Sequence, residues 1–206
     1  MKIADMDYIV FDVETTGLSP ADGDRIIELA AARVRRGAII DRYTTFVNPL
    51  RPLNPEAQKV NNISQDMVKD APTSAEILPR FMEFAGSSCL VAHNASFDIK
   101  FVSFELARAG RKLQETTPVL DTMKMSRSFL PHLTNQRLGY IAQSLGVVVG
   151  TTHRALADVE ILAAVMNRLF GLAPDYNVLT FQDLISRFGV EKPSFKVLSA
   201  TQPSLF

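Results

Sequence analysis

The sequence places two acidic residues at the end of an apolar run, in the stretch Tyr8-Ile9-Val10-Phe11-Asp12-Val13-Glu14-Thr15-Thr16-Gly17-Leu18. The run is rich in β-branched and aromatic residues, and it predicts a buried strand over residues 7–14. Because residues i and i+2 of a strand point to the same face, Asp12 and Glu14 would project together. Like charges paired on a buried strand are costly unless a cation neutralises them. A lone Asp-x-Glu pair is more often an ordinary acidic turn, so its meaning depends on partners elsewhere in the chain.

Length and composition bound the class of protein. The chain has 206 residues, 47% of them hydrophobic, and its formal net charge is zero; this fits one domain with a modest appendage. The single cysteine, Cys89, excludes an internal disulfide, and we expect a reducing, cytoplasmic location. We find no signal peptide and no run of the ~20 apolar residues that a membrane helix needs. Zero net charge argues weakly against a nucleic-acid partner, although an acidic site that binds cations can hold phosphates without a basic surface.

The order of strand and helix patterns predicts the architecture. Residues 25–35 could form a helix by composition, but the Arg36-Gly37 turn between two runs of strand formers favours a hairpin over residues 25–47. A proline-rich loop then leads to a short helix, with Asn54 as its N-cap and Pro55 in its first turn. Later patterns predict two strands and five main helices, at residues 90–93 and 117–121 and at residues 73–84, 96–109, 123–130, 136–145 and 153–170. We therefore expect an α/β fold with a mixed central sheet and helices on both faces.

Two further stretches carry acidic residues near the starts of predicted helices. They are Asn94-Ala95-Ser96-Phe97-Asp98 and His153-Arg154-Ala155-Leu156-Ala157-Asp158. Taken singly, each acid has an ordinary explanation, such as stabilisation of Asp98 by the helix dipole. In a parallel α/β layer, however, such points of the chain converge at the carboxyl ends of the strands. Four carboxylates with one histidine suit divalent ions that prefer oxygen ligands, such as Mg²⁺ or Mn²⁺. Two such ions can support the displacement of a phosphoryl group.

His153 needs a different position from that of a helix residue. It precedes Asp158 by five residues, about one and a half helical turns, so the two side chains would not share a helix face. We therefore expect His153 on the turn before the helix. A neutral imidazole there could take a proton from an attacking water.

Together, the three stretches resemble the three motifs of the DEDDh branch of 3′→5′ exonucleases. This family includes the proofreading epsilon subunit of bacterial DNA polymerase III. The resemblance covers roughly residues 7–169. It implies an RNase H-like fold and metal-dependent hydrolysis that releases nucleoside monophosphates one at a time from the 3′ end of a nucleic acid. We expect a single-stranded 3′ end of DNA, because of the C-terminal tail described below, with RNA as the alternative. It also implies a replicative polymerase as a possible partner.

The resemblance implies a role for each catalytic residue. Asp12 would bridge two Mg²⁺ or Mn²⁺ ions, with Glu14 and Asp158 as further ligands. Asp98 would hold the second ion through water, and His153 would be the general base.

The resemblance also implies which residues bind the substrate. The terminal nucleotide would meet Thr15, Thr16 and Gly17, with Leu18 wedged against its base. Asn94 and Phe97 would shape the pocket. Glu56 would approach the terminal 3′-hydroxyl, and Asn61 the nucleotide. The family often has Gly after the position of Asn61; Asn62 stands there in this chain, and Asn tolerates the left-handed conformation that Gly adopts.

The chain ends in a short apolar peptide, Gln202-Pro203-Ser204-Leu205-Phe206. Such an end, behind an extended polar segment, is typical of a peptide that orders in a groove of a partner. It resembles the bacterial sliding-clamp binding motif, with Gln202, Leu205 and Phe206 as anchors; the alternative is that the two apolar residues fold back onto the domain. We expect an exonuclease domain over residues 1–172, then a C-terminal helix and a flexible tail over residues 173–206.

Three functions are compatible with these patterns. A proofreading DNA exonuclease is favoured by the clamp-like tail. An RNA-trimming 3′→5′ exoribonuclease, of the ribonuclease T or oligoribonuclease kind, would need the same motifs because the chemistry at phosphorus is the same. A non-catalytic adaptor with this fold would be expected to lack a metal ligand, yet all four acids and His153 are present.

Overall fold

A central mixed sheet organises the chain in the computed structural model, which describes residues 1–149 and 154–196. Within these residues, five strands pair in the order β3-β2-β1-β4-β5. The strands are β1 (Asp7–Thr15), β2 (Ile26–Arg35), β3 (Ala38–Phe46), β4 (Cys89–Ala92) and β5 (Val119–Asp121). The first three pair antiparallel, whereas β1 with β4 and β4 with β5 are parallel. The predicted mixed α/β sheet is confirmed.

Helices cover both faces of this sheet. They are α1 (Pro55–Asn61), α2 (Gln65–Val68), α3 (Ser74–Ala85), α4 (Ala95–Arg108), α5 (Thr122–Phe129), α6 (Leu138–Ser144), α7 (Ala155–Leu172) and α8 (Phe181–Phe188). Tyr8 and Val10 of β1 point to the layer of α5 to α8, and Ile9 and Phe11 point to α3 and α4. In the described part of the chain, no helix combines the length and the apolar character needed to cross a membrane.

The predicted hairpin between β2 and β3 is confirmed. Its turn residues Arg36 and Gly37 have φ of 49° and 79°, the left-handed conformations that match the twist of paired strands. Although the composition of residues 25–35 is compatible with a helix, this segment forms strand β2. Pairing with strands on both sides and nearly complete burial favour the strand.

Three asparagines set the starts and ends of helices. Asn54 caps α1 by accepting a hydrogen bond from the Ala57 amide, and Asn62 ends it in the left-handed conformation (φ 53°, ψ 33°), both as expected. α4 begins at Ala95, slightly earlier than a Ser96 cap would predict. The reason is that Asn94 adopts the left-handed conformation at the N-cap and its amide donates to Asp121 Oδ1 at 3.1 Å.

The segment after α7 packs against the rest of the domain. The Tyr176 hydroxyl donates to the Phe129 carbonyl at 2.7 Å, and the Phe188 ring packs edge-on to Phe129. Beyond α8 the chain is extended and runs beside β5, where the Val190 amide donates to Val119 O at 2.9 Å. Segments 173–188 and 189–195 therefore cover the β5 side of the molecule.

Candidate active site

Three carboxylates meet at the carboxyl end of β1. Asp12 and Glu14 point to the face that α7 covers, since they alternate with the residues that face α4. Asp158 lies in the first turn of α7, where its amide donates to Arg154 O at 3.1 Å. One oxygen from each of the three carboxylates lies within 4.8 Å of the others. This group of acids could hold a divalent cation.

Asp98 approaches the same place from the opposite face of the sheet. It lies in the first turn of α4 and is only 2% exposed. Its Oδ1 accepts a hydrogen bond from the Val13 amide at 3.3 Å. All four predicted acids line one open cleft of about 440 Å³, together with Phe97.

Burial and mutual repulsion dominate the electrostatics of the cleft. Burial raises the pKa of Asp12 well above its usual range, and the neighbouring carboxylates, Asp98 first, raise it further. Burial likewise raises the pKa of Asp98, against a smaller lowering by the Val13 amide. Burial, then Asp158, raises the pKa of Glu14 to about 7, while Arg154 lowers it. A bound cation would relieve this repulsion, and an all-oxygen donor set fits a hard divalent ion.

The turn after β1, residues 15–18, directly follows Glu14, which lines the cleft, but does not itself line it; we call this turn the lip. The Thr15 hydroxyl donates to Gly17 O at 2.6 Å and closes the turn. A Cβ at position 17 would overlap the Asp24 carboxylate, so a larger residue would have to displace that side chain from its contacts with Thr16 and Ser19. Leu18 projects from the lip with 81% of its side chain exposed.

Thr16 anchors this lip to the start of β2. Its amide donates to Arg25 O at 2.9 Å, and its hydroxyl accepts from the Arg25 amide at 3.0 Å. The same hydroxyl donates to Asp24 Oδ1 at 3.1 Å. The Asn54 side chain donates to Thr16 O at 3.1 Å. Hydrogen bonds therefore join the lip to the start of β2 on one side and to the N-cap of α1 on the other.

The remaining predicted substrate residues differ in placement. Asn61 is buried, and its Nδ2 donates to Thr15 O at 2.9 Å, so it supports the lip from behind. Glu56 is exposed in the first turn of α1. Asn94 is exposed at the start of α4 and does not line the cleft, whereas Phe97 does.

A second wall of the cleft was not predicted. It consists of Asn135, Arg137 and Tyr140, on the loop before α6 and in its first turn. His93 fixes this wall, because its Nε2 lies 2.7 Å from Gln136 O and its Nδ1 lies 3.0 Å from Thr122 Oγ1. Burial lowers the pKa of His93, against a smaller raising by the hydrogen bond to Gln136. The wall has no sequence motif; only the fold brings it opposite the acids.

Glu28 on β2 was also not predicted. It is a buried acid in the otherwise apolar first part of the strand, residues 26–32, and it lies directly across the ladder from Glu14. The one signal in the sequence was its charge inside an apolar run.

Several predicted residues lie outside the described part of the chain. They are the candidate general base His153, the turn formed by residues 150–152, and the three tail anchors Gln202, Leu205 and Phe206.

Comparison with known families covers most of the chain. The family model described as Exonuclease matches residues 9–166. The DNA polymerase III PolC-type of Bacillus cereus is 43% identical over 159 residues, which is 77% of this chain. The DNA polymerase III PolC-type of Clostridium perfringens is 40% identical over 166 residues, or 81% of this chain. The chain spans only 11% of the length of each of these two relatives.

Solved structures share the fold. Exonuclease X, in complex with 5′ overhanging duplex DNA, is 26% identical with a TM-score of 0.68, covering 87% of this chain and 98% of its own. A 3′-exonuclease, solved for its 3′-end specific recognition of a histone mRNA stem-loop, is similar in fold alone. Its TM-score is 0.73 at 18% identity, covering 98% of this chain and 73% of its own.

The family match contains all three sequence motifs, since residues 9–166 include every acid of the cleft. The structural likeness to Exonuclease X extends over nearly the whole of that protein. The chain therefore belongs to the exonuclease family of nucleic-acid hydrolases, with the RNase H-like fold that its motifs imply.

Proposed function

We propose that this chain is a metal-dependent 3′→5′ DNA exonuclease that proofreads during replication. The observation that carries the proposal is the meeting of Asp12, Glu14 and Asp158 within 4.8 Å at the end of an open cleft. The names of the PolC-type DNA polymerase III relatives support DNA as the substrate.

Asp12, Glu14 and Asp158 would hold two Mg²⁺ or Mn²⁺ ions, with Asp98 supporting the second ion through water. When bound, two such ions stabilise the attacking and leaving oxygens of an in-line displacement at phosphorus. The residues fit this task because burial and then their mutual repulsion raise the pKa values of Asp12 and Glu14, and a bound cation would relieve both effects on the ionised carboxylates.

The lip and the second wall would hold the 3′ end of a single strand. Leu18, exposed at the lip, would pack against the terminal base, and Phe97 would close the pocket below it. Backbone and hydroxyl groups of Thr15, Thr16 and Gly17 would face the sugar. Across the cleft, exposed Arg137 would meet a phosphate of the strand.

Three further residues would contribute to substrate binding from outside the cleft lining. Glu56 would approach the terminal 3′-hydroxyl from the exposed side of α1. Asn61 would act through Thr15, which it already contacts. Asn94 would act at the edge of the pocket beside Phe97.

His153 would take the proton from the attacking water, a role assigned from the sequence motif. The water oxygen would bond to phosphorus as the bond from phosphorus to the 3′-oxygen breaks. The products would be a nucleoside 5′-monophosphate and a strand with a new 3′-hydroxyl. Arg154, the next residue, is the N-cap of the helix that carries Asp158.

A nuclease assay tests the proposal. Single strands of DNA and of RNA, labelled at the 5′ end, are incubated with Mg²⁺, with Mn²⁺ or with a chelator. We expect stepwise shortening of DNA from the 3′ end with either metal and none with chelator. Asp12→Ala should reduce the rate at least a thousandfold, since interactions made at the reacting phosphorus carry several kcal/mol.

The same assay separates the alternatives. Faster shortening of RNA than of DNA would replace the substrate assignment. Binding without shortening under every metal condition would favour a non-catalytic adaptor. An active Asp12→Ala protein would refute the metal assignment.

We further propose that the chain works in the cytoplasm beside a replicative polymerase and binds a sliding clamp through Gln202, Leu205 and Phe206. The support is the sequence of the tail and the names of the PolC-type relatives. Removal of residues 202–206 should abolish clamp binding measured by surface plasmon resonance, with nuclease activity on short strands unchanged. Unaltered clamp affinity after the removal would disprove the tail assignment.

A further inference from the structure

Glu28 is a buried acid beside the candidate metal site that the proposed reaction does not use. Only 2% of it is exposed. Its two carboxylate oxygens point to the start of α7 and not into the group formed by Asp12, Glu14 and Asp158. Oε1 accepts from Arg154 Nη2 at 3.1 Å, and Oε2 accepts from the Ala155 amide at 3.3 Å.

This contact replaces a local cap at the start of α7. Arg154 occupies the N-cap position, and its side chain makes no capping hydrogen bond. The first amides of a helix lack partners within the helix, and a negative charge stabilises that end. Glu28 supplies both functions from a strand 127 residues away in sequence. The start of α7 is therefore set by β2 and not by its own neighbours.

Arg154 completes the attachment. Its guanidinium lies 5.1 Å from the centre of the Phe46 ring, at the end of β3. Its side chain is 48% exposed, so the charge remains partly solvated while it balances Glu28. Arg154 thus contacts both an acid of β2 and a ring of β3.

We propose that Glu28 and Arg154 are positioning residues that attach the first turn of α7 to the sheet, so that Asp158 faces Asp12 and Glu14. The Asp158 amide donates to Arg154 O at 3.1 Å, so a displacement of Arg154 is passed directly to the acid. The inference rests on the proposed metal site and adds a cause for its geometry. Residues that orient a metal ligand typically change metal affinity or activity by about 10- to 100-fold when substituted.

Two substitutions separate positioning from simple electrostatics. Glu28→Gln removes a negative charge near the site, and Arg154→Ala removes a positive one. If these residues acted only through charge, the first would weaken cation binding and the second would strengthen it. If they position Asp158, both weaken it.

The chain offers a matched control on the same helix. Arg42 of β3 and Glu160 of α7 form a 2.8 Å ion pair whose side chains are about half exposed. This pair also joins the sheet to α7, two residues beyond Asp158, but it does not contact the first turn. Glu160→Gln should leave metal binding and activity unchanged.

The experiment measures Mn²⁺ binding by calorimetry on the full chain, without nucleic acid, for the wild type and the three variants. We expect roughly tenfold or greater loss of affinity in Glu28→Gln and in Arg154→Ala, and none in Glu160→Gln. Hydrogen exchange in the metal-free proteins should show faster exchange at the start of α7 in the first two variants only. In nuclease assays over a range of DNA concentrations, Glu28→Gln and Arg154→Ala should lower kcat, while KM stays within about twofold of the wild-type value.

Several outcomes would overturn the inference. Wild-type or tighter Mn²⁺ binding by Arg154→Ala is one, and it remains decisive if Glu28→Gln fails to fold. A lowered melting temperature with unchanged metal affinity would show a structural role only. If the wild type binds Mn²⁺ but degrades neither DNA nor RNA, the proposed function fails while this inference stands. If the wild type binds no Mn²⁺, the inference fails together with the metal site.

Discussion

Asp12 and Asp183 show how the surroundings of one side chain change its chemistry. Asp183 completes the capping box that Thr180 begins at the start of α8, and hydrogen bonds from the Thr180 hydroxyl and then from backbone amides lower its pKa. Asp12 lies in the sheet, where burial and four neighbouring acids raise its pKa well above the usual range. The ionised Asp183 carboxylate stabilises the metal-free fold, whereas the ionised Asp12 carboxylate destabilises the fold until a cation binds.

This difference predicts the pH dependence of the metal-free protein. The pKa of Glu14 is about 7 in the fold and 4.5 ordinarily. The folded state therefore holds a proton that the unfolded state has lost, and stability falls as pH rises from 4.5 to 7. Asp12 and Asp98 act in the same direction. Thermal melts in chelator at stepped pH should show this decline.

Glu14→Gln supplies the control for that measurement. The variant should melt higher than the wild type above pH 7 in chelator, and its curve should be flatter between pH 4.5 and 7. Saturating Mg²⁺ should remove most of the wild-type decline. A metal-free wild type that gains stability as pH rises through this window would contradict the electrostatic account.

Arg137 gives a prediction about substrate binding. The side chain is exposed on the second wall of a cleft whose other wall is acidic, so it is suited to a phosphate of the strand. Arg137→Ala should raise KM about tenfold, the ratio that corresponds to ~1.4 kcal/mol, with kcat nearly unchanged. The dependence of affinity on salt should also weaken.

Arg108 is the matched control for Arg137. It is exposed at the far end of α4, ten residues from Asp98 and so about 15 Å along the helix axis. Arg108→Ala should leave KM and the salt dependence unchanged. Equal effects of the two substitutions would mean that general charge, and not the second wall, attracts the strand.

At the scale of elements, the lip is held by an ion pair that does not touch the cleft. Arg25 Nε and Nη2 donate to the two oxygens of Glu105 at 2.5 and 2.8 Å, and Nη1 donates to Pro49 O at 3.1 Å. Both side chains are nearly buried, at 10% and 1% exposure. Since Arg25 also holds Thr16 through its backbone, the pair joins α4 to the lip.

Breaking this pair should be costly. Glu105→Ala leaves the Arg25 charge buried without its partner, which typically destabilises a protein by about 3 kcal/mol or more. Urea unfolding should show this loss. The control is Asp7→Ala, which breaks the exposed pair of Asp7 with Arg35 and should change stability much less. Similar losses from the two substitutions would show that burial of the pair is unimportant.

At the scale of the whole molecule, the segment after α8 extends the domain beyond the family match at residue 166. Lys192 Nζ donates to three carbonyls in the loop before β5, those of Gln114, Glu115 and Thr117. The Phe195 ring packs edge-on to Phe104 of α4, at 5.1 Å between centres. The division of the chain after residue 172 stays a prediction.

Two truncations test the contribution of this segment. A chain that ends at residue 188 loses the contacts of Lys192 and Phe195 and should be destabilised by roughly 2 kcal/mol or more, the sum of a few hydrogen bonds and one ring. A chain that ends at residue 196 retains them and should unfold at the same urea concentration as the full chain. Equal stability of the two truncated chains would show that the segment contributes nothing.

The sequence by itself determined the fold class, the hairpin and the choice of candidate acids. These depend on local patterns: alternation along β1, the Arg36-Gly37 turn, and acids placed near the starts of helices. The motif resemblance added a catalytic scheme, and the roles it gives to the four acids and to His153 stay predictions. Asn54 and Asn62 were assigned correctly because capping and left-handed turns are properties of a few neighbouring residues.

Only the tertiary structure decided which distant groups share the cleft and what holds them there. Glu28 contacts the start of α7 from 127 residues away, and Arg25 meets Glu105 across 80 residues. Arg137 lines the cleft because His93 and Gln136 fix its loop. No local pattern encodes these contacts, because each depends on how separate elements pack onto the two faces of one sheet.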